Sequence, residues 1–160
     1  MNIFYLDVDP KEASVMMCDK HNVKMILESA QMLSTAHRVL DGDKFADKHK
    51  LYKATHKNHP SSVWTRTSDN NYDWHFSLFK AMLDEYTFRY KKIHKCMDLY
   101  DSLGCLPNNI PKGDFTPPPQ CMPDEYRDED TVEAYRKYYK GEKARFAKWK
   151  AREVPQWFNV

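Results

Sequence analysis

Glycine is scarce in this 160-residue chain: there are four, and none builds a P-loop, a GxGxxG turn or a GxSxG motif. The nucleotide-binding folds and hydrolases that depend on such turns are therefore not supported. The sequence also has no apolar run that approaches a membrane span, and its first residues lack the apolar core of a signal peptide. We expect a cytoplasmic protein without a membrane partner.

The four cysteines are scattered and form no CxxC pair, which favours free thiols in a reducing compartment, although counting alone leaves a disulfide open. Cys18-x-x-His21 and His56-x-x-His59 are conceivable zinc ligands. Neither pair has a standard partner spacing, so we predict no metal site and no cofactor.

The composition is 41% hydrophobic and 14% aromatic, which excludes a disordered chain, and the formal charge of +2 says little about partners. Apolar spacings of three and four residues predict an all-α fold: a compact single-domain helical bundle spanning residues 1–160. Residues 2–6 are predicted as a strand or a short extended N-terminal arm. Asp9-Pro10 marks the start of a helix over residues 11–17.

Two longer helices follow, over residues 19–40 and 72–100, with a short helix between them that begins at Pro60. Residues 104–130 hold six of the nine prolines and are predicted as an ordered strap over the domain. A final helix is expected over residues 130–152, within a basic, aromatic C-terminal part, residues 131–160. We expect a monomer.

The helix over residues 19–40 carries a polar stripe between two apolar zones. One zone is predicted to comprise Val23, Ile26, Leu27, Ala30 and Leu33, and the other Met25, Met32 and Val39. The stripe comprises His21, Lys24, Glu28, Gln31, Thr35 and Arg38. It is either an ordinary solvated face or part of an active site, because it combines an imidazole, an ammonium and a carboxylate.

Three further groups are candidates for holding a ligand, and each has an ordinary structural alternative. Glu85 and Arg89 lie four residues apart beside the apolar seam, as a surface ion pair or as an anion site. The other two groups, one in residues 53–66 and one in residues 148–157, combine cations with aromatics, as nucleic-acid-binding surfaces do. The first could equally be an ordinary cationic loop, and the second a solvated helix face. Their predicted nucleic-acid-binding residues are Lys53, His56, His59, Trp64, Arg66, Lys148, Trp149 and Trp157.

The spacing Asp19-x-His21-x6-Glu28, with the C-terminal Pro-Gln-Trp-Phe, resembles the phage pyrimidine-dimer DNA glycosylase (endonuclease V-like) family, and related uncharacterised small phage proteins. The resemblance covers about the first forty and the last fifteen residues. It implies a phage-encoded, all-helical DNA repair enzyme: an N-glycosylase with abasic-site lyase activity on damaged or modified pyrimidines, located in the host cytoplasm.

By this resemblance the catalytic residues are Glu28 and the N-terminal amine, carried by Met1, or by Asn2 if Met1 is removed. Asn2 disfavours that removal because it is not a small residue. α-Amines are much less basic than lysine, so a usable fraction is neutral near pH 7. The substrate-binding residues would be His21, Lys24, Gln31, Arg89 and Glu85.

Three arginines of the family are replaced here, by Ile3, Leu27 and Gln31, and Lys24 replaces them only in part because it lacks the planar guanidinium fork. This favours an alternative function, a non-catalytic phage protein that binds or sequesters a nucleotide or nucleotide-derived defence signal. The predicted partner is thus DNA or a nucleotide. A third possibility is a virion-associated protein that docks through Trp157 and Phe158.

Overall fold

The computed structural model describes residues 1–159, and their fold is all-α, as predicted, without a β-strand. The α-helices are α1 Pro10–Met16, α2 Asp19–Asp41, α3 Lys44–Lys48, α4 Pro60–Thr65, α5 Asp69–Tyr90, α6 Tyr100–Leu103 and α7 Thr131–Tyr138. Short 3₁₀ segments are Lys95–Leu99, Asp124–Tyr126 and Gln156–Asn159, and a π-helical turn spans Tyr139–Lys143. None of the helices in residues 1–159 has the length and apolarity that crossing a membrane requires.

The helix starts follow from local sequence. The Asp9 side chain accepts the Lys11 backbone N–H, with Pro10 in the first turn of α1. Ser68 caps α5 in the same way, and Asp130 caps α7. A side-chain cap of this kind contributes about 1 kcal/mol, so these residues fix where each helix begins.

Helix α2 is enclosed on several sides, because it packs against α5, α4 and α3. Only part of the predicted apolar zones is buried. Ile26, Ala30 and Leu33 are buried, whereas Val23, Leu27 and Val39 are exposed. Polar residues fill part of the interface instead. Ser29 of α2 and Thr65 of α4 hydrogen bond to the two ring nitrogens of His75 in α5, at 2.9 and 2.8 Å.

The prediction of one continuous helix over residues 72–100 is wrong, because the helix ends at Tyr90. Helix α5 ends at Tyr90 because Lys91 adopts a left-handed conformation, with φ 57°, and its N–H bonds back to the Thr87 carbonyl. The Thr87 hydroxyl also donates to the Lys92 carbonyl. The chain then turns back onto the same core, so the apolar spacing continues through Met97 and Tyr100 although the helix does not.

The predicted C-terminal helix over residues 130–152 is also shorter. Helix α7 ends at Tyr138 and widens into the π-turn, in which Gly141 faces the ring of Tyr126. A Cβ atom on Gly141 would collide with that ring. Beyond the turn, the Trp149 indole donates to the Met16 carbonyl, which draws the segment across the start of α2 instead of continuing a helix.

The Pro-rich segment before α7 is held by polar contacts. Asn71 of α5 accepts the Thr116 backbone N–H at 2.9 Å, and the Trp64 indole donates to the Thr116 carbonyl. Phe115 packs against Tyr5 and Trp74. The segment therefore lies against both α5 and the N-terminal arm, residues 1–9.

One buried guanidinium joins α1, α2 and α5. The Arg89 side chain is fully buried and donates to Glu85 at 2.7 Å, Asp19 at 2.9 Å and the Val15 carbonyl at 2.9 Å. Arg152 of the C-terminal segment donates two further hydrogen bonds to Glu85. Burial opposes ionisation of Glu85, but the hydrogen bonds from Arg152 and Arg89 outweigh it and lower the pKa of Glu85.

We predict that Arg89→Met lowers the free energy of unfolding by about 3–5 kcal/mol, because it leaves Asp19 and Glu85 short of a buried cation. Urea denaturation followed by circular dichroism measures this. The matched control is Arg127→Met, which removes an exposed Arg–Asp124 pair 3.7 Å apart and should have no measurable effect. Equal effects of the two substitutions would contradict a structural role for Arg89.

Candidate functional site

The beginning of the chain and Glu28 meet in one cavity. The Met1 amino nitrogen lies 3.5 Å from Oε1 of Glu28, and the Lys24 ammonium lies 3.8 Å from Oε2. The cavity has a volume of about 300 Å³ and lies between the N-terminal arm, α2 and the C-terminal part of the chain. The Glu28 side chain is only 14% exposed, so this carboxylate faces the cavity rather than bulk solvent.

The N-terminal arm is held in place by Asn2. Its side-chain nitrogen donates to the Cys121 carbonyl, and its side-chain oxygen accepts from the Tyr135 hydroxyl at 2.8 Å and from the Ile3 N–H. Ile3 and Phe4 are buried beside it. Asn2 therefore fixes the position of the preceding amine, and its own side chain is not free to react.

His21 forms the floor of the cavity. Its ring stacks on Phe4, with centroids 4.2 Å apart, and its Nδ1 lies 2.6 Å from the Tyr139 hydroxyl. Burial, and then the charges of Lys143, Lys24 and Lys20, lower the pKa of His21 to about 3, so the ring is neutral near pH 7.

The tautomer of His21 follows from the hydrogen bonds of Tyr139. The Tyr139 hydroxyl accepts the Cys18 N–H and has a choice of two acceptors, Nδ1 of His21 and the weakly accepting Cys18 sulfur at 3.5 Å. We assign its proton to the shorter bond, to Nδ1. His21 then carries its own proton on Nε2, which has no protein partner in residues 1–159 and can donate to a ligand.

The walls of the cavity are cationic. They include the Met1 amine, Lys24 and Lys143, against the single carboxylate of Glu28. His59 belongs to the same lining, where burial, followed by the positive charges of the N-terminal amine and His56, lowers its pKa, with Glu28 opposing. With both cavity histidines favoured in the neutral form, the excess of two positive charges favours an anionic ligand.

The second half of the polar stripe has a structural role. Gln31 is half-buried one turn beyond Glu28 and does not line the cavity. Thr35 is buried and hydrogen bonds to the Thr55 backbone, and Arg38 binds Asp43 and Asp47 together with two backbone carbonyls. The stripe therefore lines the cavity at its start and holds the loop before α4 at its end.

The prediction that Glu85 and Arg89 bind a ligand is wrong. The Arg89 side chain has no exposed surface, and each of its nitrogens is bound to protein. Glu85 is 4% exposed and is shared by two arginines. Together they form the helix junction described above, and neither lines the cavity at Glu28.

The predicted nucleic-acid surface is only partly brought together. Lys53 and His56 are exposed, Arg66 is half-buried, and among the predicted loop residues His59 alone reaches the cavity. Trp64 is 7% exposed, and its indole N–H donates to the Thr116 carbonyl. The prediction that Trp64 contacts nucleic acid is therefore wrong.

The C-terminal candidates are also mostly structural. Lys148 is exposed, but the Trp149 indole is bonded to Met16. Trp157 packs against Tyr139 and Arg136, with its N–H buried. These contacts give both tryptophans a structural role, and their binding to nucleic acid stays a prediction.

Five residues of the lining were not predicted as site residues: Phe4, Met25, Cys121, Tyr138 and Lys143. The last three come from the Pro-rich segment, the end of α7 and the π-turn, roughly a hundred residues after Glu28. No local spacing connects them to α2, because only the tertiary fold brings these segments together.

A larger groove, of about 570 Å³, lies between α1 and α5 and includes Ser14, Lys80 and Glu85. Its acidic and basic side chains are mixed, and the main ion pair within it, Glu85 with Arg152, is already satisfied. No group of three or more His, Cys, Asp or Glu side chains in the described part of the chain is arranged to hold a metal ion. The smaller cavity at Glu28 is therefore the better candidate site.

Comparison of the chain with protein-family models, with curated proteins and with solved structures finds no match.

We predict that the folded protein loses stability as pH falls from about 6.5 towards 3. In this window the unfolded chain protonates His21, whose ordinary pKa is 6.5, whereas the folded chain does not protonate it until about pH 3. This histidine contributes a slope of about 1.4 kcal/mol per pH unit, with none above pH 7. Urea denaturation at several pH values measures it.

His21→Gln should remove that part of the slope and leave the part due to His75, whose pKa burial also lowers to about 3. The control is Asn58→Gln, at an exposed position of the loop before α4, which removes no titratable group and should leave the slope unchanged. An unaltered slope in His21→Gln would contradict a neutral His21 in the folded protein.

Proposed function

We propose that this protein is a DNA N-glycosylase and abasic-site lyase that uses the Met1 amine as nucleophile and Glu28 as its acid–base partner. The observation that carries the proposal is the 3.5 Å separation of the amine and the Glu28 carboxylate inside a cationic cavity. A nucleophile within reach of a carboxylate that can take its proton is the arrangement that covalent catalysis requires.

The lyase chemistry follows from these two groups. The neutral amine adds to the aldehyde carbon C1′ of an open abasic sugar, and loss of water gives a C1′ iminium. Glu28 removes a proton from C2′, which gives an enamine as the C–H electron pair forms a C1′–C2′ double bond and the iminium π pair moves to nitrogen. The nitrogen pair then restores the iminium, the C1′–C2′ pair becomes a C2′–C3′ double bond, and the C3′–O bond breaks with departure of the 3′ phosphate ester. Hydrolysis then returns the amine.

In the glycosylase reaction the amine attacks C1′ and the base leaves with the electron pair of the glycosidic bond, taking up a proton. Glu28 stabilises the positive charge that develops on the sugar. The Nε2–H of neutral His21 is available to a sugar oxygen, and the Asn2 side chain holds the nucleophile in place.

The test is borohydride trapping with a DNA duplex that contains an abasic site, or a thymine dimer. We expect a covalent adduct, and trypsin digestion should locate it on the peptide 1–11, which carries the Met1 amine, rather than on a peptide that contains Lys24. Glu28→Gln should lower the rate of trapping at least about 100-fold, because it keeps the side-chain volume but removes the base that takes the proton of the Met1 amine before imine formation.

The control for charge loss is Glu133→Gln, at an exposed position of α7, which should trap at the unaltered rate. An adduct on Lys24, or unchanged trapping by Glu28→Gln, would refute the assigned nucleophile and base. If neither the abasic-site duplex nor the thymine-dimer duplex gives an adduct, the proposed enzymatic activity is refuted.

A second candidate is the non-catalytic binding of a nucleotide or a nucleotide-derived signal. It is favoured by the ion-pair distance between the amine and Glu28, since a cationic amine holds anions without reacting. The absence of a guanidinium from the cavity lining is compatible with this role.

Thermal-shift titration separates the two candidates. A nucleotide-binding protein should be stabilised by a mononucleotide or cyclic dinucleotide in the micromolar range, with little dependence on salt. A DNA-binding protein should instead lose affinity with a slope of about 0.9 in log K per log salt for each phosphate it contacts. Lys53→Gln, an exposed lysine outside the cavity, serves as the control variant for ligands bound inside it.

A further inference from the structure

The last residue of the π-turn, Lys143, is a cation of the cavity without a carboxylate partner. Among residues 1–159, no Asp or Glu oxygen lies within 4 Å of its ammonium, whereas Lys24 is paired with Glu28. The Lys143 ammonium instead lies over the ring of Tyr138, 4.7 Å from its centroid. Such a contact orients an ammonium but leaves its N–H groups free for an anion.

The local fold brings this lysine to the cavity. π-Turns are rare and occur frequently at functional sites. Tyr126 packs against both Gly141 and Tyr138, and its hydroxyl donates to Glu142 at 3.2 Å. The turn and the ring beneath Lys143 are therefore held together by the same tyrosine.

The cavity has little aromatic surface on which a base could stack. Phe4 is 3% exposed and covered by His21, and Tyr138 contacts Phe4, Tyr126 and Lys143. Its volume of about 300 Å³ suits a pentose phosphate better than a nucleotide dimer. Charge, rather than stacking, is what this lining offers a ligand.

We propose that Lys143 is the phosphate-binding residue of this cavity, and that it binds the 5′ phosphate of the abasic deoxyribose whose aldehyde lies at the Met1 amine. A charge-assisted hydrogen bond from an unpaired lysine to phosphate is stronger than a hydrogen bond between neutral groups. The phosphate site deepens the proposed function and rests on it for the sugar chemistry, whereas phosphate binding is measurable without any reaction.

The experiment compares 2-deoxyribose 5-phosphate with 2-deoxyribose in borohydride trapping, and inorganic phosphate in isothermal titration. The protein should trap the phosphate ester at concentrations at least tenfold lower than the free sugar. Lys143→Gln should abolish that advantage by raising the half-saturating concentration of the ester, while the trapping rate at saturation and the trapping of free deoxyribose stay within twofold.

Two variants give controls. Lys143→Arg should retain most of the advantage because it keeps the charge, and Lys140→Gln should retain all of it, because Lys140 belongs to the same π-turn but does not line the cavity. If Lys143→Gln affects both sugars equally, or neither, the proposal is overturned.

Failure of the proposed chemistry would look different. One outcome is that neither sugar is trapped, but inorganic phosphate binds the native protein at least tenfold more tightly than it binds the Lys143→Gln variant. In that case the phosphate site is supported and the proposed enzymatic activity is refuted. If trapping occurs on Met1 with no preference for the ester, the enzyme stands and the phosphate site is refuted. Absence of both phosphate binding and the ester preference also overturns the site.

Discussion

The structure depends on one buried cation and the two carboxylates that surround it. Arg89 of α5 binds Asp19 at the first residue of α2 and the last turn of α1, while Glu85 links it to Arg152 near the other end of the chain. Asp19 also accepts the Lys150 backbone N–H. The Arg89 and Glu85 side chains are removed from water, so their charges must remain paired, and this couples the positions of the segments that supply the partners.

This constraint places the cavity. Asp19 sets the start of α2, and two turns later the same helix presents Glu28, so the junction at Arg89 fixes where that carboxylate points. The C-terminal segment, held at Arg152 and Lys150, covers His21 through Tyr139 and Phe146. The residues with catalytic potential are few, but their positions derive from contacts at both ends of the protein.

Local sequence was sufficient to predict the all-α class, the helix starts at Asp9-Pro10 and Pro60, and the extent of α2. It was insufficient where a turn interrupts a continuous apolar pattern: the spacing from Tyr72 to Tyr100 holds across the break at Lys91 because both pieces pack on one core. The stripe on α2 predicted His21, Lys24 and Glu28 as neighbours. It could not predict Lys143 or Cys121, whose contact with α2 is entirely tertiary, nor that Arg89 serves the interior.

Gly141 shows that solvent exposure alone is a poor guide to which positions accept change. The residue is exposed, and an accessibility profile would rank it among the most permissive sites in the chain. Yet the Tyr126 ring occupies the space that any larger side chain needs. In a saturation mutagenesis library this codon should therefore be as restricted as one in the hydrophobic interior, for a reason that only three-dimensional packing reveals.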